Sequence, residues 1–164
     1  MRLITAVSFL PLALAAPFDL VPKTLPDHTP VNVPNKDDFD VNCGGTTIVA
    51  QDIVNAVSWG TNLQRAGQTV GNNKYPHLYG NSEDFEWADP ACDSNSRNRE
   101  LFPVIKGGTY DGTEGIGRRF RVIYVHDPNS QTDSQGNPTA TYCGTIYHAD
   151  HSNDFKGCDV VQRS

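Results

Sequence analysis

The sequence lacks the features that mark several large classes of protein. Its longest apolar run, near the N-terminus, covers about 12 residues, whereas a helix needs ~20 to cross a bilayer. No Cys-x-x-Cys pair is present, which argues against a zinc site. Lys and Arg total 13 against 19 Asp and Glu, giving a net charge of −6. Because non-specific affinity for nucleic acid comes from many phosphate contacts, any nucleic-acid contact must be small and local.

The N-terminal segment has the pattern of a secretory signal. Arg2 supplies a positive charge, residues 3–14 are largely apolar, and Ala13-Leu14-Ala15 is a small-residue cleavage site. We therefore expect residues 1–15 to be a signal peptide, without a membrane anchor, and the protein to be secreted. Residues 16–42 are rich in proline and aspartate and lack a helical or strand period, which predicts a propeptide or flexible arm. One domain over residues 43–164 follows.

That predicted domain contains four cysteines, Cys43, Cys92, Cys143 and Cys158. In a secreted chain this number predicts two disulfides, for which three connectivities are possible. A bond between the first and last cysteine would close a loop of more than ~100 residues, worth ~4–5 kcal/mol in the chain-entropy model.

Hydrophobic periodicity predicts one helix followed by strands. Apolar residues recur at positions 53, 54, 57 and 63, on one helical face, with Thr46 or Thr47 placed to cap the start and Gly67 to end the helix. "LFPVI" indicates a buried strand, and "RRFRVIYVH" and "TATYCGTIYHA" alternate, so that His148 is expected to share a face with Tyr142. The sequence thus predicts an α+β fold, with the helix packed on one face of an antiparallel sheet.

Three segments of the chain carry side chains suited to phosphoryl transfer. His77 follows Tyr75-Pro76, Arg121 lies in an alternating strand, and His148 ends the last strand. One histidine can accept a proton from a nucleophile, the other can donate one to the leaving oxygen, and the guanidinium can stabilise phosphorane charge. We expect neither a metal nor another cofactor. The alternative, that the three are unrelated surface residues, stays open from spacing alone.

The segments "VGNNKYPHLYGNSEDFEW", "FRVIY" and "YCGTIYHADHSNDFKGC" resemble the fungal guanyl-specific ribonucleases, and also the ribotoxins that share their fold. The resemblance runs from about residue 43 to residue 158. It implies a helix on a curved antiparallel sheet and cleavage of single-stranded RNA after guanosine through a 2′,3′-cyclic phosphate. DNA lacks the required 2′-hydroxyl and would not be cut. The net charge of −6 points away from the ribotoxins, which are basic. We expect the protein to be a monomer.

The resemblance also implies specific roles and the disulfide pairing. It implies the bonds Cys43–Cys158 and Cys92–Cys143. The catalytic set that it implies comprises a general acid, His148; a phosphate-stabilising arginine, Arg121; a histidine beside the base, His77; and a tyrosine at the phosphate, Tyr75. The base-reading positions are Tyr79, Asn81 and Glu83, and the loop that closes the site contributes Asn153 and Phe155.

Two departures concern the base-reading loop. Gly80 replaces an asparagine, and Ser82 stands where the best-known members stack a tyrosine over the base. Because stacking on an aromatic ring is worth ~1–3 kcal/mol, we expect a weaker or broader base preference.

A third departure concerns the general base. In the family this is a glutamate followed by an aromatic residue and proline, but here Leu101 precedes Phe102-Pro103 and Glu100 lies one residue early. A one-residue shift turns a side chain to the other face of a strand. A β-bulge before Phe102 would return Glu100 to the active face; otherwise His77 alone is the base. An active guanyl-preferring enzyme, a non-catalytic effector that binds RNA or a host protein, and a ribotoxin-like enzyme are the three hypotheses.

Overall fold

The computed structural model describes residues 24–34, 39–113, 119–130, 132–149 and 154–163. The predicted signal peptide, the first part of the predicted arm and Asn153 lie outside the described residues. Within the described ranges, no helix combines the length and apolar character that crossing a bilayer requires.

Two antiparallel sheets and one long helix form the domain. In chain order the elements are β1 (Phe39–Cys43), β2 (Thr46–Ile48), α1 (Ala50–Arg65), β3 (His77–Leu78), α2 (Ala91–Ser94), β4 (Arg99–Pro103), β5 (Phe120–Val125), β6 (Thr141–His148), β7 (Phe155–Gly157) and β8 (Asp159–Gln162). The small sheet has the order β2-β1-β8 and the large sheet the order β3-β4-β5-β6-β7. Helix α1 packs on β4 and β5. The predicted α+β class, with a helix on one face of an antiparallel sheet, is confirmed.

Helix α1 presents the predicted apolar face to the sheet. Ile53, Val57 and Leu63 are fully buried, as are Phe102 of β4 and Val122 of β5. Burying one such side chain stabilises the fold by roughly 1.5–3 kcal/mol. These contacts pack one face of the large sheet against the helix, so the opposite face is available for a functional site.

The start of α1 differs from the prediction. Thr46 lies in strand β2, and the residue before the helix makes no side-chain capping bond. Instead Oδ1 of Asp40, in β1, accepts a hydrogen bond of 3.0 Å from the backbone N–H of Ala50. The cap comes from another strand, so the sequence next to the helix does not reveal it. Gly67, with φ of 58°, follows the helix end as predicted.

Residues 24–34 lie against the domain. The ring of His28 stacks on Trp59 at a centroid distance of 3.8 Å, and Thr29 donates to the side chain of Asn62 at 2.6 Å. Asn32 forms a parallel bridge with Thr139. The proline- and aspartate-rich composition of this segment did not predict these contacts, which tie it to α1 and to the β5–β6 connection.

Both disulfides implied by the resemblance are confirmed. Cys43 bonds to Cys158 across 115 residues of sequence, and Cys92 bonds to Cys143. The first bond joins the end of β1 to the residue that precedes β8, and the second joins α2 to β6. The first bond therefore links the small sheet to the junction between β7 and β8, and the second fixes the first part of β6 to α2.

A β-bulge interrupts β6. Ile123 pairs with Gly144 but Tyr124 pairs with Tyr142, so Cys143 is the extra residue. The bulge turns Tyr142 to the face of Tyr124, and its hydroxyl lies 2.8 Å from that of Thr145. The prediction that Tyr142 shares the face of His148 is therefore wrong, because simple alternation does not account for an inserted residue.

The nonlocal cap gives a stability test. Asp40→Ala removes the acceptor for the first amide of α1 and an ion pair with Arg163, so we expect the free energy of unfolding to fall by ~1 kcal/mol. Thr47→Ala, at a position that the sequence suggested for the cap, is the matched control and should change it by less than ~0.5 kcal/mol. Urea denaturation measures both, and an equal loss in the two variants would contradict the assignment.

Candidate active site

The cross-strand register assigns residues to the two faces of the large sheet. His77 pairs with Leu101, and Leu101 with Ile123, so these residues share a face. Glu100 pairs with Tyr124 on the opposite face. Tyr124 lies against Gly60 of α1, which identifies that side as the helix side. We call the other side, which carries His77, Leu101, Arg121 and His148, the open face.

Three predicted catalytic side chains lie on the open face. Arg121 of β5 pairs with Ile146 of β6, and His148 lies two residues farther along β6 on the same face. Leu101 lies between its direct partner His77 and Arg121, a diagonal neighbour at a typical distance of ~7–8 Å. The fold thus places both histidines and the arginine on one face of the sheet, in β3, β5 and β6, with Leu101 of β4 between His77 and Arg121.

Arg121 is a buried, oriented cation. Its Nε donates to the phenol oxygen of Tyr75 at 3.1 Å, and its Nη1 donates to the carbonyl of Phe120 at 3.0 Å. The guanidinium also lies 5.2 Å from the centre of the Tyr75 ring. Burial lowers the pKa of Arg121, but an arginine keeps its charge at neutral pH. Tyr75 therefore contacts Arg121 with both its hydroxyl and its ring, and these contacts fix the orientation of the guanidinium plane.

The ring of His77 is exposed and has a defined hydrogen-bond direction. It stacks on Tyr75 with centroids 5.0 Å apart, and its Nδ1 lies 3.1 Å from the carbonyl oxygen of Leu78. Because a carbonyl can only accept, this contact places a hydrogen on Nδ1. In the neutral ring Nε2 then carries a lone pair, which is what a general base requires.

His148 is held from one side by an aromatic ring. Phe155 of β7 stacks on it with centroids 4.1 Å apart. The backbone N–H of His148 donates to the carbonyl of Arg119 at 3.0 Å, which fixes the end of β6. Its Nδ1 has no hydrogen-bond partner among the residues that the structure describes. Phe155, predicted as part of the closing loop, thus contacts the predicted general acid.

The loop after β3 holds one carboxylate in a fixed position. Tyr79 donates to Oε2 of Glu83 at 2.7 Å, and the hydroxyl of Ser82 donates to the same oxygen at 3.0 Å. Desolvation opposes ionisation of Glu83, but these bonds and the backbone amides of Glu83 and Phe155 outweigh it and lower its pKa. Glu83 is therefore a charged acceptor at neutral pH, close to Phe155, whose ring stacks on His148.

Asn81 shapes this loop with its side chain. Its Oδ1 accepts from the N–H of Phe85 at 3.0 Å, and its Nδ2 donates to the carbonyl of Phe85 at 2.9 Å. Asn81 also has a φ of 58°, in the left-handed region that asparagine tolerates better than most residues. Both ends of the amide are used within the loop, so we expect any contact of Asn81 with a base to come from its backbone.

The comparison with known proteins identifies the class of this site. Residues 36–159 match the family model of the ribonucleases. The chain belongs to the ribonuclease family. It is 35% identical over 124 residues to a guanyl-specific ribonuclease of Aspergillus clavatus, covering 75% of this chain and 77% of that protein.

Two other relatives extend the comparison. The chain is 32% identical over 117 residues to an extracellular guanyl-specific ribonuclease of Gibberella baccata, covering 71% of this chain and 92% of that protein. It is also similar to a guanyl-specific ribonuclease of Aspergillus pallidus, with 38% identity over 88 residues, or 53% of this chain and 77% of the relative. The resemblance inferred from the motifs is confirmed.

This ribonuclease has no bulge in β4. Arg99–Pro103 pairs with β5 in continuous register, so Glu100 stays on the helix side and is 8% exposed. Oε1 of Glu100 lies 3.5 Å from Nε2 of Gln64, and its Oε2 has no partner among the described residues. The bulge that would have restored Glu100 to the open face is absent, which removes the support for Glu100 as general base. Leu101, 2% exposed, occupies that position.

Sequence reasoning missed Arg99 of this ribonuclease. Its side chain is buried and reaches both the base-reading loop and α2, where it donates to the carbonyls of Tyr79 and Cys92. The sequence did contain one signal for it. Arg99 lies two residues before Leu101 in the same strand, and residues two apart in a strand lie on the same face.

The buried carboxyl of Glu100 gives a pH-dependent stability. Burial raises its pKa from 4.5 to about 7, so the folded state holds this proton more tightly than the unfolded chain does. Its contribution is complete below about pH 4.5 and is lost as the pH rises through about 7. We expect the parent to lose roughly 2–3 kcal/mol more free energy of unfolding than Glu100→Gln between about pH 4 and pH 8.

Denaturant titrations across that range measure the effect. Glu86→Gln is the matched control, because Glu86 is exposed and its replacement should leave the loss at high pH unchanged. Identical pH profiles for the parent and Glu100→Gln would refute the role given to burial.

Proposed function

We propose that this protein is a secreted endoribonuclease that cleaves single-stranded RNA on the 3′ side of guanosine, with His77 as general base and His148 as general acid. The observation that carries the mechanism is the contact between Nδ1 of His77 and the carbonyl of Leu78. It leaves Nε2 as a proton acceptor on the open face, beside a leucine where the family has its carboxylate.

The reaction balances with these side chains alone. Nε2 of His77 takes the proton of the ribose 2′-hydroxyl, and the 2′-oxygen attacks the adjacent phosphorus. The bond from phosphorus to the 5′-oxygen breaks, and His148 gives that oxygen a proton. Arg121, held by Tyr75, stabilises the charge that develops on the non-bridging oxygens. The products are a 2′,3′-cyclic phosphate and a free 5′-hydroxyl, and DNA is excluded because it lacks the nucleophile.

Guanine recognition is assigned to the loop around Glu83. A carboxylate can accept from both N1–H and the exocyclic amine of guanine, and adenine does not offer this pair of donors. The named specificity of the three relatives supports the same base. Ser82 provides no ring to stack on the base, so we expect the preference for guanine to be weaker than an aromatic residue there would give.

Secretion fits the chemistry of the chain. Two disulfides form and persist in oxidising compartments, and one relative is named as extracellular. A secreted enzyme with net charge −6 would meet RNA through the few cations of its site rather than through a general basic surface.

One observation favours a second function. Leu101 removes the carboxylate from the middle of the open face, which would suit a protein that binds RNA but cleaves it slowly or not at all. Binding to a host protein instead is the other form of this alternative. The cleavage experiment below decides between the enzyme and the binding protein.

The test is cleavage of a short RNA that contains one guanosine. We expect the parent to give a single 2′,3′-cyclic phosphate product, and His77→Ala and His148→Ala to lower the rate by about 10²-fold or more. His28→Ala, which changes an exposed histidine beside α1, is the matched control and should keep the parental rate. A DNA strand of the same sequence should remain intact.

Absence of product from the parent would favour the binding protein. Product formed equally by the parent and His148→Ala would contradict the assigned acid. Parental activity in His77→Ala would contradict the assigned base.

A further inference from the structure

Arg99 is a buried cation with no part in the proton transfers. It begins β4, is 5% exposed and shares the open face with Leu101. A charged side chain is costly to bury unless several hydrogen bonds compensate for lost water. The hydrogen-bond partners of Arg99 therefore indicate its role in the structure.

The first partner is the backbone of Tyr79, which Arg99 holds on both sides. The N–H of Tyr79 donates to the carbonyl of Arg99 at 2.8 Å, and Nε of Arg99 donates to the carbonyl of Tyr79 at 3.2 Å. Tyr79 is the last residue before the loop that carries Glu83, and its hydroxyl donates to that carboxylate at 2.7 Å. The position of Tyr79 thus sets the position of the carboxylate.

The second partner is α2, an anchor fixed by a disulfide. Nη1 of Arg99 donates to the carbonyl of Cys92 at 3.2 Å, and Cys92 is bonded to Cys143 of β6. Asp93, a largely exposed carboxylate, lies 3.8 Å from the same nitrogen. The guanidinium is also 5.6 Å from the centre of the Trp87 ring, within cation–π range. One rigid planar group therefore links the base-reading loop to the cross-linked part of the sheet.

We propose that Arg99 is a positioning residue that sets the affinity of the site for guanine by fixing Tyr79 and, through Tyr79, Glu83. The proposal rests on the proposed function, because it assumes that Glu83 reads the base. Arg99 itself does not touch the substrate. An arginine suits the task because its fork of donors reaches two carbonyls in different directions, which a single ammonium group does with less geometric control.

The experiment compares the parent, Arg99→Met and Arg99→Lys in guanylate and adenylate titrations and in steady-state cleavage. For Arg99→Met we expect the Kd for guanylate and the KM for guanosine-containing RNA to rise about tenfold, the cost of losing charge-assisted bonds. The Kd for adenylate and kcat should stay within about twofold, because His77, Arg121 and His148 are unchanged. Arg99→Lys should restore part of the guanylate affinity.

Arg97→Met is the matched control. Arg97 lies two residues earlier in the chain and is exposed, so its replacement removes the same charge without touching the loop. It should bind guanylate as the parent does. Thermal denaturation of every variant gives the folded fraction used in the titrations, and Arg99→Lys keeps the test decisive if Arg99→Met folds poorly.

The outcomes separate the two proposals. Unchanged guanylate affinity in Arg99→Met, or an equal loss for both nucleotides, overturns the role of Arg99 while the parent still prefers guanylate. A parent that binds adenylate as tightly as guanylate overturns the proposed base preference, and the role of Arg99 with it. A drop in kcat with unchanged KM would likewise contradict a positioning role at the base.

Discussion

The continuous pairing of β4 with β3 and β5 is the constraint on which the active site depends. In a strand, each residue faces opposite to its neighbours, so an unbroken ladder fixes every side chain of β4 at once. The ladder sends Glu100 to the helix side and Leu101 to the open face. A bulge does occur in this sheet, but it lies at Cys143, near the start of β6 and away from His148 at its end.

This arrangement places the carboxyl group of β4 on the face opposite the two histidines. The open face carries two histidines and two buried arginines, while the carboxyl of Glu100 lies on the helix side with its pKa raised by burial. Leu101 contributes no charge between His77 and Arg121. In the proposed mechanism the proton of the nucleophile goes to Nε2 of His77, the nitrogen left free by the contact of Nδ1 with a backbone carbonyl. In the same proposal the carboxylate of Glu83, held by Tyr79 and Ser82, serves base recognition.

Much of this site was predictable because it follows from alternation and motif order. His77, Arg121 and His148 fall in recognisable strand segments, and the family resemblance implied both disulfides correctly. The remaining features depend on contacts between distant segments. Asp40 of β1 caps α1, and the side chain of Arg99 in β4 donates a hydrogen bond to the carbonyl of Tyr79; each contact joins two separate segments. No local sequence pattern distinguishes a buried arginine from a solvated one at the start of a strand. No local pattern predicts the extra residue in β6 either.

The central claim is that His77 supplies the base where the fold has placed Leu101 in the position of a carboxylate. The most direct measurement compares the cleavage rate of His77→Ala with that of the double variant His77→Ala/Leu101→Glu, using Leu101→Gln in the same background as the uncharged control. The account predicts that a carboxylate at position 101 restores cleavage by about tenfold or more, and that the amide does not. Equal rates for the glutamate and glutamine variants, or a parental rate in His77→Ala alone, would contradict it.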